Sequence, residues 1–311
     1  MEPVLASAPA APALSSHGRS FAHLYPFADR EVTVGGFRMH YVDEGKGHPV
    51  VMVHGNPTWS FYWRNLILAL RGECRTIAPD HIGMGLSEKP GREAYPFTLA
   101  RRCEDFAAFM DSLGLTEPVT LVVHDWGGMI GTTWAVDNPD RVARLVVLNT
   151  AAFLLPPGRS LPTALALARS KPVGELAVRG FNAFAGAATR VCVNRGAMPA
   201  DVRAGYVAPY DSWDHRLSVF EFVNDIPLSP GDRSYGDVTR VTEKLGVLKD
   251  KPMLIGWGHK DFVFNAPFLA EWKKHFPKAE VHEFHDAGHY VMEDASSEII
   301  ALVRRFIGLG A

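Results

Sequence analysis

Short apolar runs alternate along this chain with longer segments in which apolar residues recur every three or four positions. Val50–Val53, Val119–Val123 and Arg144–Leu148 are runs dense enough to predict strands buried on both faces. Arg75–Ala78, Pro252–Gly256 and Glu280–Phe284 predict three more strands. Helical spacing predicts helices over Phe61–Leu70, Met129–Asn138, Ala266–Phe276, Ser297–Ile307 and Thr98–Leu113, the last opened by Thr98. Near the start, Glu31–Gly35 and Arg38–Asp43 read as an antiparallel pair turned at Gly35-Gly36. Strands separated by helices of this length predict an α/β architecture, a mostly parallel sheet with helices on both faces and right-handed crossovers. The alternation lapses between Leu148 and Lys251, where no convincing strand occurs. A helical cap is therefore expected over 156–250, inserted above the carboxyl ends of the strands. The core is expected over 25–155 and 251–311, and residues 1–24, rich in Ala, Pro and Ser, as a disordered tail.

One segment carries chemistry. His124-Asp125-Trp126-Gly127-Gly128 joins a predicted strand to a predicted helix, the strand–turn–helix of a nucleophile elbow and hence of the α/β-hydrolase fold. The usual Ser is replaced by Asp125. A carboxylate is already ionised at neutral pH and attacks without a base. It suits a carbon bearing a leaving group or a strained ring. The resulting ester must be released, and two residues after late strands supply the means. His289, in Asp286-Ala-Gly-His-Tyr, is the expected general base. Asp261, in Gly256-Trp-Gly-His-Lys-Asp, is the expected acid that orients it. The chain order of nucleophile, acid and His fits the fold. His54-Gly55-Asn56-Pro57 follows the first parallel strand, where an oxyanion loop belongs. The side chains of Asn56 and Trp126 are neutral donors suited to a leaving halide or a developing carboxylate. Trp59 beside that loop, with Phe181, Phe184, Tyr206 and Tyr210 in the insertion, are candidate pocket residues.

Composition narrows the field. A chain of 311 residues that is 47% hydrophobic, with a net charge of −2, lacks the basic footprint of a nucleic-acid binder. Three scattered cysteines form no CxxC or disulfide framework, which predicts a reducing, cytoplasmic setting. No apolar run reaches membrane-span length, and the first residues lack the pattern of a secretory signal. His282, His285 and His289 have metal-like spacing, but no further ligand completes a set, so no metal is expected. Gly83-Met84-Gly85 lacks the third glycine of a dinucleotide fingerprint.

With Asp125, Trp126, Asn56, Asp261 and His289 assembled, the chain resembles the haloalkane dehalogenases. The motifs are His54-Gly-Asn-Pro-Thr-Trp-Ser, Pro79-Asp-His-Ile-Gly-Met-Gly-Leu-Ser and His124-Asp-Trp-Gly-Gly, within a likeness of about 280 residues from Tyr25 to the last helix. One branch of that family carries its triad acid after the strand ending near Leu148. Leu148-Asn-Thr-Ala-Ala-Phe has none, which points to the third subfamily and to Asp261. That subfamily includes the dehalogenase-like enzymes of bacterial olefin biosynthesis, which decarboxylate long-chain β-lactones to cis-alkenes. Met129-Ile-Gly, Asn149-Thr-Ala-Ala-Phe, Phe181-Asn-Ala-Phe, Ala208-Pro-Tyr-Asp-Ser-Trp and Asp225-Ile-Pro-Leu-Ser-Pro are similar to theirs. The resemblance implies a cofactor-independent reaction on a small hydrophobic substrate, with attack on a lactone at either the carbonyl or the ring carbon bearing oxygen. It also implies association with other olefin-pathway enzymes and self-association. Haloalkane hydrolysis is the alternative. Epoxide hydrolysis, with Tyr206 and Tyr210 as proton donors, and a non-catalytic receptor are lesser ones.

Overall fold

Gly35 and Gly36 take φ of 54° and 89°. That turn folds β1 (Arg30–Val34) back on β2 (Phe37–Glu44) as an antiparallel pair. The structure, a computed structural model, describes residues 21–310. Six further strands come next: β3 (His48–Val53), β4 (Cys74–Pro79), β5 (Val119–Asp125), β6 (Val142–Thr150), β7 (Met253–Gly258) and β8 (Glu280–Phe284). They form one sheet in the order β1-β2-β4-β3-β5-β6-β7-β8. β2 runs antiparallel to β4, and every later pair is parallel. This is the α/β-hydrolase architecture.

The apolar runs are continuous because both faces of the sheet are covered. Val51, Val53, Leu121, Val123, Leu145 and Val147 enter one hydrophobic cluster. Their neighbours Val50, Met52, Val122, Val146 and Leu148 enter the other. Helices α1 (Arg64–Leu70) and Ser296–Phe306 pack on the second face, and α2 (Leu99–Ser112) and α3 (Trp126–Asp137) on the first. Thr98 caps α2, its hydroxyl accepting from the Arg101 N–H.

Two differences from the sequence expectation have physical causes. The segment expected as one helix over Phe61–Leu70 opens as a 3-10 turn, Ser60–Trp63. Phe61, Tyr62 and Trp63 are all fully buried, because the turn is covered on several sides by Phe21, by Tyr206 of the insertion and by Tyr290 of the loop after β8. β5 and β6 each run two residues past their last apolar position. The ladder continues there through His124, Asp125 and Thr150, with Asn149 bulged out of register, and all four are polar residues bonded inside the protein. The tail expected over 1–24 lies outside the described residues as far as residue 20. Residues 21–24 correct that expectation: they form a 3-10 turn, held by Phe21, which is buried edge-on to Trp59 and Phe61.

The interval 156–250 holds helices Thr163–Arg169, Ala183–Val191, Ala200–Val207, Leu217–Asn224 and Tyr235–Lys244, with shorter helical turns between them. Among the described residues no helix is long and apolar enough to cross a membrane.

α3 lies close against the sheet at its first turn. A Cβ at Gly127 would collide with the Val53 carbonyl, and one at Gly128 with the Thr150 hydroxyl. Replacing Gly127 by Ala therefore forces α3 away from β3. The expected loss is about 1–3 kcal/mol, read as a lower thermal midpoint. An unchanged midpoint would show that the close contact is dispensable.

Candidate active site

β5 ends on Asp125, whose φ of 50° and ψ of −130° turn the chain sharply into α3. A non-glycine residue at positive φ is uncommon, and here it projects a side chain at the strand–helix junction. The Thr150 hydroxyl donates to the Asp125 carbonyl and ties the turn to β6. The carboxylate Oδ2 accepts from the Asn56 backbone N–H at 2.8 Å. Gly55 permits that approach, because a Cβ there would strike the Asp125 carboxylate.

The loop after β3 is held from below. His54 Nδ1 donates to the Gly55 carbonyl at 2.7 Å, while its Nε2 accepts from the His81 N–H at 3.0 Å. Burial holds the His54 pKa below its ordinary value, so the ring is the neutral tautomer this pattern requires. His81 Nε2 donates back to the His54 carbonyl at 2.9 Å.

His289 Nδ1 lies 2.8 Å from Asp261 Oδ2, joining the loops after β8 and β7. The same Oδ2 accepts from Asn149 Nδ2 at 2.9 Å, and Oδ1 accepts from the N–H groups of Val263 and Phe264 at 2.7 and 3.0 Å. Asp261 thus leaves Nδ1 to carry the proton and Nε2 to face the cavity as an acceptor. Behind the ring, His124 Nε2 donates to the His289 carbonyl at 2.9 Å. Just after it, Glu293 takes a bidentate bond from Arg64 at 2.6 and 2.8 Å and a third from the Tyr206 hydroxyl at 2.5 Å.

The sequence assigns no role to Asn149, which enters there only through the absence of an acid and through the resemblance of Asn149-Thr-Ala-Ala-Phe. Asn149 takes φ of 33° and bonds the Gly258 N–H and carbonyl at 2.8 and 3.0 Å as well as Asp261. An asparagine directly after an apolar strand, where Asn tolerates the left-handed region, was the available signal.

Asp125, Trp126, Asn56 and His289 line one cavity of about 560 Å³, walled by Met129, Leu155, Leu165, Phe184, Val223 and Phe264 among others. The indole N–H of Trp126 has no partner among the described residues. One Asn56 amide N–H is committed to the Val219 carbonyl at 3.1 Å, which leaves one for a ligand. Of the five expected pocket residues, only Phe184 lies in this wall. Trp59 turns instead into the core, donating to the Gly205 carbonyl at 3.1 Å and stacking on Phe61. Tyr206 is drawn to Glu293, and the Tyr210 hydroxyl to the Thr58 carbonyl at 3.3 Å. Neither hydroxyl serves the cavity, which removes the proton donors of the epoxide alternative. Phe181 is 76% exposed.

Burial pushes the Asp125 carboxyl above its ordinary pKa; the His289 charge and the N–H groups of Asn56 and Trp126 pull it back down. For His289, burial alone would lower the imidazolium pKa. The charge and hydrogen bond of Asp261, with the charge of Asp125, outweigh it, and the net shift is upward.

Residues 48–296 match the family model described as alpha/beta hydrolase fold. The chain is 50% identical over 284 residues to the cis-3-alkyl-4-alkyloxetan-2-one decarboxylase of Shewanella oneidensis, covering 91% of this chain and 89% of that protein. It is 45% identical to the enzyme of the same name from Xanthomonas campestris pv. campestris, over 91% of this chain and 97% of that one. The haloalkane dehalogenase of Mycobacterium marinum is 36% identical, over 88% of this chain and 92% of that one. Among solved structures, the haloalkane dehalogenase DatA from Agrobacterium tumefaciens aligns with a TM-score of 0.81 at 25% identity, over 90% of this chain and 96% of that one.

Removing the charge at residue 261 tests this electrostatic arrangement. Asp261→Asn lets burial dominate, so the His289 pKa falls, as followed by histidine NMR titration. In the native protein the neutral imidazole is lost as pH falls through the His289 pKa, which lies above that of an ordinary histidine. Any step that uses it slows on that limb. The variant moves the limb to lower pH and costs on the order of 10²–10⁴-fold in rate. A His289 pKa that rose or stayed constant would contradict the assignment.

Proposed function

The chain belongs to the α/β-hydrolase family, in the branch that holds the oxetanone decarboxylases and haloalkane dehalogenases, and we propose that it decarboxylates cis-3-alkyl-4-alkyloxetan-2-ones to cis-alkenes and CO2. The observation that carries this reading is a buried carboxylate nucleophile opening onto an apolar cavity. The higher identity to the decarboxylases than to the dehalogenase favours the lactone over the halide.

Asp125 is the nucleophile. Attack at the ring carbon bearing oxygen forms an Asp125–carbon ester bond and breaks the ring carbon–oxygen bond with inversion. The former lactone group becomes a carboxylate on the adjacent carbon. The Trp126 indole N–H and the remaining Asn56 N–H receive that developing charge. The bond to the carboxylate then breaks, its electron pair becomes the alkene π bond, and CO2 departs. The ester oxygen leaves carbon with its electron pair and restores the Asp125 carboxylate. No water or proton is consumed, and inversion followed by anti elimination keeps the two alkyl groups cis. Attack at the carbonyl would leave oxygen on the alkyl carbon, still to be expelled. Protonated His289 adds positive charge beside the departing Asp125 carboxylate.

A haloalkane forms the same ester but has no carboxylate to lose. Its release requires water activated by neutral His289, with Asp261 orienting the ring, and the free Nε2 beside Asp125 supports this second activity.

Purified protein given a synthetic cis-β-lactone is expected to yield the cis-alkene by gas chromatography. Asp125→Ala is expected to lower the rate by at least about 10⁴-fold. With a bromoalkane, His289→Phe is expected to release one equivalent of bromide and retain the alkyl group on Asp125, seen by intact mass. No alkene from the native protein sinks the lactone reading. Full alkene formation by Asp125→Ala sinks the covalent route.

A further inference from the structure

The first part of the helical insertion is unusual for a protein surface. Helix Thr163–Arg169 buries only Leu165. Leu167 and Val191 are each more than half exposed, yet both line the cavity, so they stand at its mouth with Arg159. Val173, Leu176 and Phe181, also more than half exposed, lie on the segments that join helices Thr163–Arg169 and Ala183–Val191. Apolar side chains of this size, exposed on two cavity-lining helices and on the segment that joins them, mark a contact surface.

Charge gives the surface a sign. Residues 156–200 carry six basic side chains, Arg159, Arg169, Lys171, Arg179, Arg190 and Arg195, and one acid, Glu175. Glu175 is already paired with Arg92 and Arg179 at 2.8 and 2.6 Å, and Arg169, Arg179 and Arg195 meet Asp232, Asp214 and the pair Asp286 and Glu298 from outside this stretch. Among the described residues Arg159, Lys171 and Arg190 have no acidic partner. The chain as a whole is slightly acidic, so this basic excess is local.

We propose that this face docks on an anionic lipid surface, with Val173, Leu176 and Phe181 entering the interface and the unpaired cations meeting lipid phosphates. An interfacial site needs both components, exposed apolar groups and a rim of Lys and Arg. The cavity mouth then opens toward acyl chains, where a lactone with two alkyl tails dissolves and its alkene product partitions. That last point rests on the lactone reading; the composition of the face does not. An acidic protein partner would meet the charge but gives no reason for exposed Leu167 and Val191 to stand at the mouth of an apolar cavity.

The full-length protein is mixed with vesicles of phosphatidylcholine alone or with added phosphatidylglycerol, and binding is measured by flotation. Binding is expected to the mixed vesicles, to weaken with salt, and to be much weaker on phosphatidylcholine. Lys171→Glu with Arg190→Glu should weaken it by at least about 25-fold, about fivefold for each cation lost. Leu176→Ser with Phe181→Ser should weaken it about tenfold or more. All four side chains are exposed, and unchanged circular dichroism verifies the fold of each variant. Equal binding to both vesicles, no loss in either variant, or no binding at all overturns the proposal; the last is the result expected if a protein covers this face. The vesicles contain no lactone, so this experiment and the alkene assay fail independently.

Discussion

The structure is organised around holding one carboxylate, Asp125, buried at the wall of an apolar cavity. Burial works against the charge of Asp125, and no lysine or arginine is among the groups that offset it; a fixed cation would bind the nucleophile. The compensation comes from neutral donors and one titratable ring. The Asn56 and Trp126 N–H groups bond the carboxylate, and His289 faces it. These partners require a loop after β3 with no side chain at residue 55 and a helix with none at 127 and 128. The sheet edge is assembled to satisfy those close approaches, and the positive φ of Asp125 is one of their costs.

The second half of the site is built as a relay of positions. Asn149 from β6 and His289 from the loop after β8 converge on the same oxygen of Asp261, so three strand ends share one small polar cluster. Donors on both oxygens of Asp261 hold the carboxylate in one orientation, and that orientation defines the imidazole tautomer. The Arg64–Glu293–Tyr206 group then joins this loop to α1 and to the helical insertion. Core and insertion are coupled again where Val219 holds the Asn56 amide. The insertion therefore does more than wall the cavity: it sets how many donors Asn56 can offer a leaving group.

That division fits the proposed function, in which lactone and halide would form the same ester on Asp125. In that proposal the fate of the ester depends on whether the bound carbon chain carries a carboxylate to expel, and the apolar wall is what meets the chain. The same insertion presents an apolar and basic outer face around the opening, so cavity and surface are two sides of one short stretch of chain.

Much of this was legible in the sequence. Continuous apolar runs predicted buried parallel strands because both sheet faces are covered, and the elbow, the oxyanion loop and the two late loops placed Asp125, Asn56, Trp126, Asp261 and His289 at one edge. Those residues sit beside strands, where period and position are local properties. The aromatic residues were another matter. Trp59, Tyr206 and Tyr210 look like pocket lining in one dimension. In the fold their polar atoms find Gly205, Glu293 and Thr58, and the rings are consumed by packing. Phe181 turns outward, and Asn149 gains its role only through a carboxylate 112 residues away. The sequence by itself determined the fold class and singled out the candidate reactive groups, because these arise from periodicity and from residue chemistry at turns. Only the tertiary structure decided which side chains face the cavity, because that depends on which polar atoms remain unpaired once distant segments have met.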